Sequence, residues 1–308
     1  MHKTTGLIDS GSSLRTYKYD AVLGSADETA KYPSYYILSE DRLGVVKDQG
    51  IIWACVAEVI SSIAEVINGI ETGEFEEFSE GWAYGMFRDD IMTSRGLLVR
   101  KALNYWRKIG IVPKKYFREL AEMPDMRKIV LKYPKLLKIA ERYKIEGFVE
   151  ISANRKTRDF ELKEALIKYN YGLLGVSKDY FKEPHAITII GWNDETDSYI
   201  IKNSWGKSYG KNGIKEVPKN EINEIFLILD EVFKMKFTDV NEKDNSWSYK
   251  HIKNVVAAGI MKGVSETLFD PKKAFTREEA AVVIDRINES IDERFEILAE
   301  QIENIKNN

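Results

Sequence analysis

The sequence predicts an α+β fold: a helical lobe, then a strand-rich lobe, then a small helical module that ends in a long C-terminal helix. Three observations predict it. Apolar residues recur at helical spacing through the first half, short β-branched and aromatic runs take over from Gly147, and the composition breaks near Leu227 to Lys236. A chain of 308 residues is long enough for a core of about 200 residues plus a second small module.

The first 34 residues are rich in Ser, Thr, Gly and Asp and read as an extended arm. A strong helix follows from about Trp53 to Ile70, with Val56, Val59, Ile60, Ile63, Val66, Ile67 and Ile70 on helical spacing, ended by Gly73 and an acidic stretch. Two further helical patterns run Ser79 to Arg88 and Leu97 to Lys108, with Gly110 as a stop. Lys114 to Lys144 is basic and broken at Pro124 and Pro134, the pattern of solvated surface helices. Strands are expected at Gly147 to Ile151, Tyr171 to Ser177, Ala186 to Trp192 and Ser198 to Lys202, with a helix, Phe160 to Tyr169, between the first two.

Beyond the composition break, helical patterns run Trp247 to Ala258 and from Thr276 to about Ile305. Ile284, Ile287, Ile291, Phe295, Leu298, Ile302 and Ile305 alternate in steps of three and four, a coiled-coil seam of about three heptads or the buried face of a helix packed on its own module. The divisions are an arm at 1–34, a main domain at 35–230, a module at 237–290 and a C-terminal helix at 291–308.

With 44% hydrophobic and 31% charged residues the chain is globular and not disordered. A net charge of −3 gives no reason to expect nucleic acid as a partner. One cysteine excludes an intrachain disulfide. No apolar stretch of signal-peptide length lies in Met1 to Asp20, and no run approaches the ~18 apolar residues of a membrane span. No metal-binding or cofactor motif is read.

Cys55 alone reads as a small buried hydrophobe. Its surroundings point elsewhere. It sits in the first turn of the predicted helix, where unsatisfied N–H groups and the dipole favour a thiolate. Six residues earlier, Gln49 carries an amide able to donate to an oxyanion alongside the cysteine's own N–H. Downstream, His185 opens a strand, and Asn203 follows eighteen residues later in Ile201-Lys202-Asn203-Ser204-Trp205-Gly206. A thiol nucleophile needs an imidazole, and the imidazole needs a neutral polar group to hold its tautomer. Two adjacent antiparallel strands would set His185 and Asn203 side by side, with Trp205 shielding their bond.

Three blocks, Gln49-Gly50 to Cys55, His185 to Gly191, and Asn203-Ser204-Trp205-Gly206 with Gly210 and Gly213, resemble the signature blocks of the papain-like cysteine peptidases, over roughly Gly6 to Val217. The resemblance implies the two-lobed fold of that family, a helical lobe beside a β-barrel-like lobe. It also implies roles: Cys55 nucleophile, His185 general base and acid, Asn203 orienter, Gln49 oxyanion donor, Trp205 support, and Gly96 as a backbone partner of bound peptide. Val56 stands where a tryptophan usually follows the nucleophile, and Trp53 where the family is small. Gly6-Leu7-Ile8-Asp9 and Arg15-Thr16-Tyr17-Lys18-Tyr19 resemble the arm of a bacterial branch without the long prodomain.

The C-terminal module reads Phe237-Thr238-Asp239-Val240, Trp247, Ala258-Gly259-Ile260-Met261-Lys262-Gly263, Leu268-Phe269-Asp270-Pro271 and Phe275-Thr276-Arg277-Glu278-Glu279, and resembles one S-layer homology domain. Thr276 to Glu279 is also a capping box. The resemblance implies Arg277 as a ligand of acidic cell-wall polysaccharide. The expectation is a cysteine endopeptidase with a module for surface attachment or assembly, acting on peptide or protein substrates. It carries no cofactor, and its C-terminal helix offers a route to a homo-oligomer. The alternative is a catalytically silent papain-like fold in a cell-surface or virion assembly, and the same triad also serves amidases and transferases. The module points to the cell envelope, while no export signal is visible.

Overall fold

The computed structural model describes residues 7–8, 17–24, 26–73, 75–88, 96–118, 135–230, 237–240, 244–245, 247–248, 251–252, 255, 260–265 and 267–288. Residues 7–8 and 26–230 form one compact unit, and 17–24 with 237–288 form another.

In the first unit the longest helix is α1, Cys55–Thr72. It begins two residues later than the periodicity predicts. Ile52 N–H bonds to Gln49 O (3.0 Å) and Ala54 N–H to Ile52 O (2.9 Å), which holds Trp53 in a turn. It ends where Gly73 turns left-handed and its N–H reaches Gly69 O at 3.1 Å. Val56, Val59, Ile60, Ile63, Val66 and Ile67 are buried, each contributing about 1.5–3 kcal/mol. A helix this rich in β-branched residues relies on packing more than on propensity.

Helix α2, Glu80–Met86, is capped by Ser79, whose Oγ accepts from Trp82 N–H at 2.9 Å. Helix α3 is Val99–Ile109, and α4 is Lys135–Ala140. Leu97–Leu98, expected within a helix, instead pairs in parallel with Leu7–Ile8. Helix α5, Arg155–Tyr169, starts five residues before the expected Phe160, because Asn154 Oδ1 caps Lys156 and Thr157 N–H at 3.1 and 3.4 Å.

Among the described residues of this unit, the main sheet is built from these strands, in chain order: β1 Tyr35–Ile37, β2 Gly147–Glu150, β3 Leu173–Ser177, β4 His185–Asn193, β5 Ser198–Lys202, β6 Ile214–Pro218 and β7 Glu224–Leu229. They pair antiparallel in the order β2-β7-β3-β4-β5-β6, and β1 joins β4 past the end of β3. Strands β1, β6 and β7 were not expected. Strand β7 is flanked by β2 and β3 and runs to Leu229, and the first unit ends at Asp230. Its run Glu-Ile-Phe-Leu-Ile-Leu lacks alternation because nearly every residue is buried. Helices α1 and α5 both pack on β4, which is buried along almost its whole length.

The second unit has a small core of Phe237, Val240, Ile252 and Phe269, with Met261 against it. Asp239 accepts from Phe269 and Asp270 N–H at 2.9 and 2.7 Å, tying two of its motifs together. A Cβ on Gly263 would lie 2.2 Å from the Phe237 ring, so only glycine fits. Thr276 and Glu279 form the capping box in both directions, at 2.9 and 3.1 Å, and open a helix at 277–288. Of the expected Trp247 to Ala258 helix, residues 251, 252 and 255 are helical and others lie outside the described residues, as does most of the basic stretch, 119–134. The C-terminal helix 291–308 and most of its apolar seam also lie outside them. Among the described residues no helix is long and apolar enough to cross a membrane.

Glu58, one turn after Cys55, is buried with Oε2 unpartnered. Burial, then the Glu80 carboxylate, push its carboxyl up to about 8, with Lys47 and Lys114 opposing and Glu65 adding to the rise. The fold therefore keeps a proton that the unfolded chain releases near 4.5. The stability this confers is complete below that value and is lost as pH rises to about 8. In thermal melts, Glu58→Gln should flatten this decline and raise the midpoint at pH 8 by roughly 5 °C. A variant curve running parallel to wild type would remove Glu58 as the cause.

Candidate active site

Strands β4 and β5 run antiparallel with Thr188 opposite Lys202, so the start of β4 lies beside the loop that leaves β5. His185 is the first residue of β4, and Asn203 the first after β5. Their side chains meet, Nε2 to Oδ1, at 2.8 Å. Asn203 Oδ1 also accepts from Ser204 N–H at 2.7 Å, which identifies it as the oxygen. His185 Nε2 must then donate, and in the neutral ring Nδ1 holds the lone pair. Among the described residues Nδ1 has no hydrogen-bond partner, although the ring is fully buried. Burial pushes the imidazole down to about 4, with the Asn203 bond working the other way.

The Gln49 loop is stitched to the same segment. Gln49 N–H bonds to Ser204 O, and Gly206 N–H to Lys47 O, both at 2.9 Å. Gly206 adopts φ of 76°, and a Cβ there would stand 2.6 Å from Asp48 Oδ2. The Gln49 side chain is buried; its Oε1 accepts from Ser204 Oγ at 2.5 Å, and its Nε2 donates to Ile52 O at 2.9 Å. Ser204 thus joins Gln49 to Asn203.

Cys55 is fully buried as the first residue of α1, and α1 packs on β4 and β3. Val56 is buried within the helix, and Trp53 is half-buried in the turn ahead of it. Aromatic rings enclose the imidazole: Trp205 stacks on it at 4.8 Å, Phe181 meets it edge-on at 4.8 Å, and Phe181 and Trp205 touch at 5.4 Å. Gly96 is buried just ahead of Leu97–Leu98. Arg277 is exposed in the second unit.

Behind the site lies a buried ion cluster. Lys47 pairs with Glu65 of α1. Lys202 donates to Leu43 O, to Val45 O at 3.2 Å and to Ser62 Oγ at 2.5 Å. Burial pushes Lys202 down to about 8, against the pull of Glu65.

Sequence reasoning singled out neither Phe181 nor the coupling role of Ser204. Ser204 was visible inside its motif, but its hydroxyl partner lies 155 residues away. Phe181 precedes His185 by four residues, and only the turn between β3 and β4 brings it onto the ring. Phe181→Ala should admit water and raise the His185 titration, followed by NMR, from about 4 toward 6.5. An unmoved titration would show that Phe181 does not keep the ring dry.

The profile of papain family cysteine proteases matches residues 44–232, and that of the S-layer homology domain residues 236–281. A viral cathepsin of Heliothis zea nuclear polyhedrosis virus is 26% identical over 231 residues, covering 71% of this chain and 61% of that protein. Zingipain-2 of Zingiber officinale is 25% identical over 192 residues, covering 57% and 82%. Among solved structures, xylellain, a cysteine protease from Xylella fastidiosa, shares the fold with a TM-score of 0.60 at 18% identity, over 75% of this chain and 97% of its own. With the family match spanning more than half of its length, the chain belongs to the papain family of cysteine proteases.

Proposed function

We propose that this protein is an endopeptidase in which Cys55, His185 and Asn203 act together. The observation that carries the reading is the buried, unpartnered Nδ1 of His185, whose lone pair is held by the Nε2–Asn203 bond. His185 takes the thiol proton as Cys55 Sγ attacks the peptide carbonyl. The oxyanion is stabilised by Gln49 Nε2 and the Cys55 N–H. His185 returns the proton to the leaving amine, and water then hydrolyses the acyl-enzyme and restores the thiol. Gly96 would pair with the backbone of bound peptide. The S-layer module would attach the enzyme to a surface, with Arg277 reaching a carboxylate of an acidic wall polysaccharide. The C-terminal segment would bring copies together.

One observation favours a second reading, a silent fold kept as a binding unit: Cys55 and His185 are both 0% exposed. A thiol-reactive epoxide separates the two. Labelling at Cys55 that is slowed by His185→Ala supports catalysis, and an unlabelled wild type supports the silent fold. If active, His185→Ala should lower kcat by at least about a thousandfold. The acid limb of kcat/KM should fall near pH 4, where the imidazole gains a proton and stops acting as a base.

For the module, purified acidic wall polysaccharide should bind the full chain, and Arg277→Ala should weaken binding roughly tenfold. Equal binding by the variant would remove Arg277 from the contact.

A further inference from the structure

Lys215 on β6 is exposed, and among the described residues no carboxylate pairs with it. Its ammonium instead lies over two rings, 5.4 Å from the centre of Tyr180 and 5.9 Å from that of Tyr209. Those rings continue the enclosure of the imidazole. Tyr180 meets Phe181 at 5.0 Å, and Tyr209 meets Trp205 at 5.2 Å. A closed loop of contacts therefore runs from His185 through each aromatic wall to the same amine. The neighbouring Glu216 is turned to Asn193 and Thr196, at 3.1 and 2.7 Å, and Asp48 accepts from Gly50 N–H. Segments 178–184 and 204–216 together carry five lysines against three carboxylates.

The side of the cleft follows from proton transfer. An imidazole that protonates the leaving amine must lie beside it, so the residues after the scissile bond pass along the walls of that ring. An extended peptide advances about 3.3 Å per residue. Lys215 is three contacts of 4.8 to 5.9 Å from His185, within reach of the second to fourth residues after the cut.

We infer that Lys215, framed by Tyr180 and Tyr209, selects peptides carrying Asp or Glu in the second to fourth positions of the leaving group. The inference rests on the peptidase reading. The rings strip water from one side of the ammonium, a hydrogen bond with the Tyr180 hydroxyl fixes its place, and among the described residues it has no carboxylate to give up. The gain is that of a half-exposed ion pair, so it should weaken with salt.

The test uses the full chain and three internally quenched peptides, identical before the cut and bearing Glu, Gln or Lys in those positions. Wild type should cleave the Glu peptide with kcat/KM roughly fivefold above the Lys peptide, and the ratio should approach one in ~0.5 M salt. Lys215→Glu should invert the ratio while the Gln peptide and the melting midpoint stay within about twofold and a few degrees of wild type. Tyr180→Phe, which keeps the ring but loses the hydroxyl, should reduce the ratio without inverting it. Equal cleavage of the Glu and Lys peptides, or a ratio unmoved by Lys215→Glu, overturns the inference and leaves the peptidase reading intact. No cleavage together with no epoxide labelling of Cys55 overturns both.

Discussion

Glu65 sits near the middle of the helix that starts at Cys55, fully buried, and its carboxylate bonds to two separate stretches of chain. It pairs with Lys47, accepts from Phe78 N–H at 3.3 Å and from Val45 N–H at 3.4 Å. Lys47 stands two residues before Gln49. Lys202, whose ammonium is drawn to the same carboxylate, stands one residue before Asn203. One buried charge therefore sets the spacing between the helix, the Gln49 loop and the strand that delivers Asn203. Burial pushes the Glu65 carboxyl up and Lys47 draws it down, so the cluster holds only while its members stay together. Removing one partner of such a pair costs about 3–5 kcal/mol, because the other charge stays buried.

The site in front of this cluster is held by backbone as much as by side chains. The bonds between Gln49 and Ser204 and between Gly206 and Lys47 fix the loops, and Ser204 ties the Gln49 amide to the oxygen that orients His185. The imidazole then needs little freedom of its own. Its proton sits on Nε2, its lone pair on Nδ1, and aromatic rings on two sides keep water away. Preorganisation of this kind places the cost of order in folding and not in the reaction step.

The second unit follows a different logic. Its core is a handful of residues, too small to carry much stability by area alone. Local polar devices do more of the work: the Asp239 carboxylate over two backbone N–H groups, the close approach at Gly263, and the reciprocal cap between Thr276 and Glu279. Several apolar side chains remain outside, among them Trp247 at 84% exposure and Ile284 at 57%.

What was legible in the chain was whatever is encoded locally. The periodicity of α1, the Ser79 and Gly110 boundaries, the Thr276–Glu279 box and the runs that became β3, β4 and β5 depend on neighbours a few residues away. Strand β7 escaped because a run buried nearly throughout has no alternation to read, and its partners lie 48 or more residues upstream. The start of α5 escaped because a cap, not an apolar period, sets it. At the site, the identities of Cys55, His185, Asn203 and Gln49 stood in the sequence as residue types in a given order. The ring of Phe181, the hydroxyl of Ser204 and the buried Glu65 did not announce themselves, since each acts on a group brought close only by folding. Sequence alone determined which chemistry was available, because side chains carry their reactivity with them. Tertiary structure decided which nitrogen of His185 holds the proton, how dry that ring is and which charge lies beyond its aromatic walls, because those depend on contacts between residues far apart in the chain.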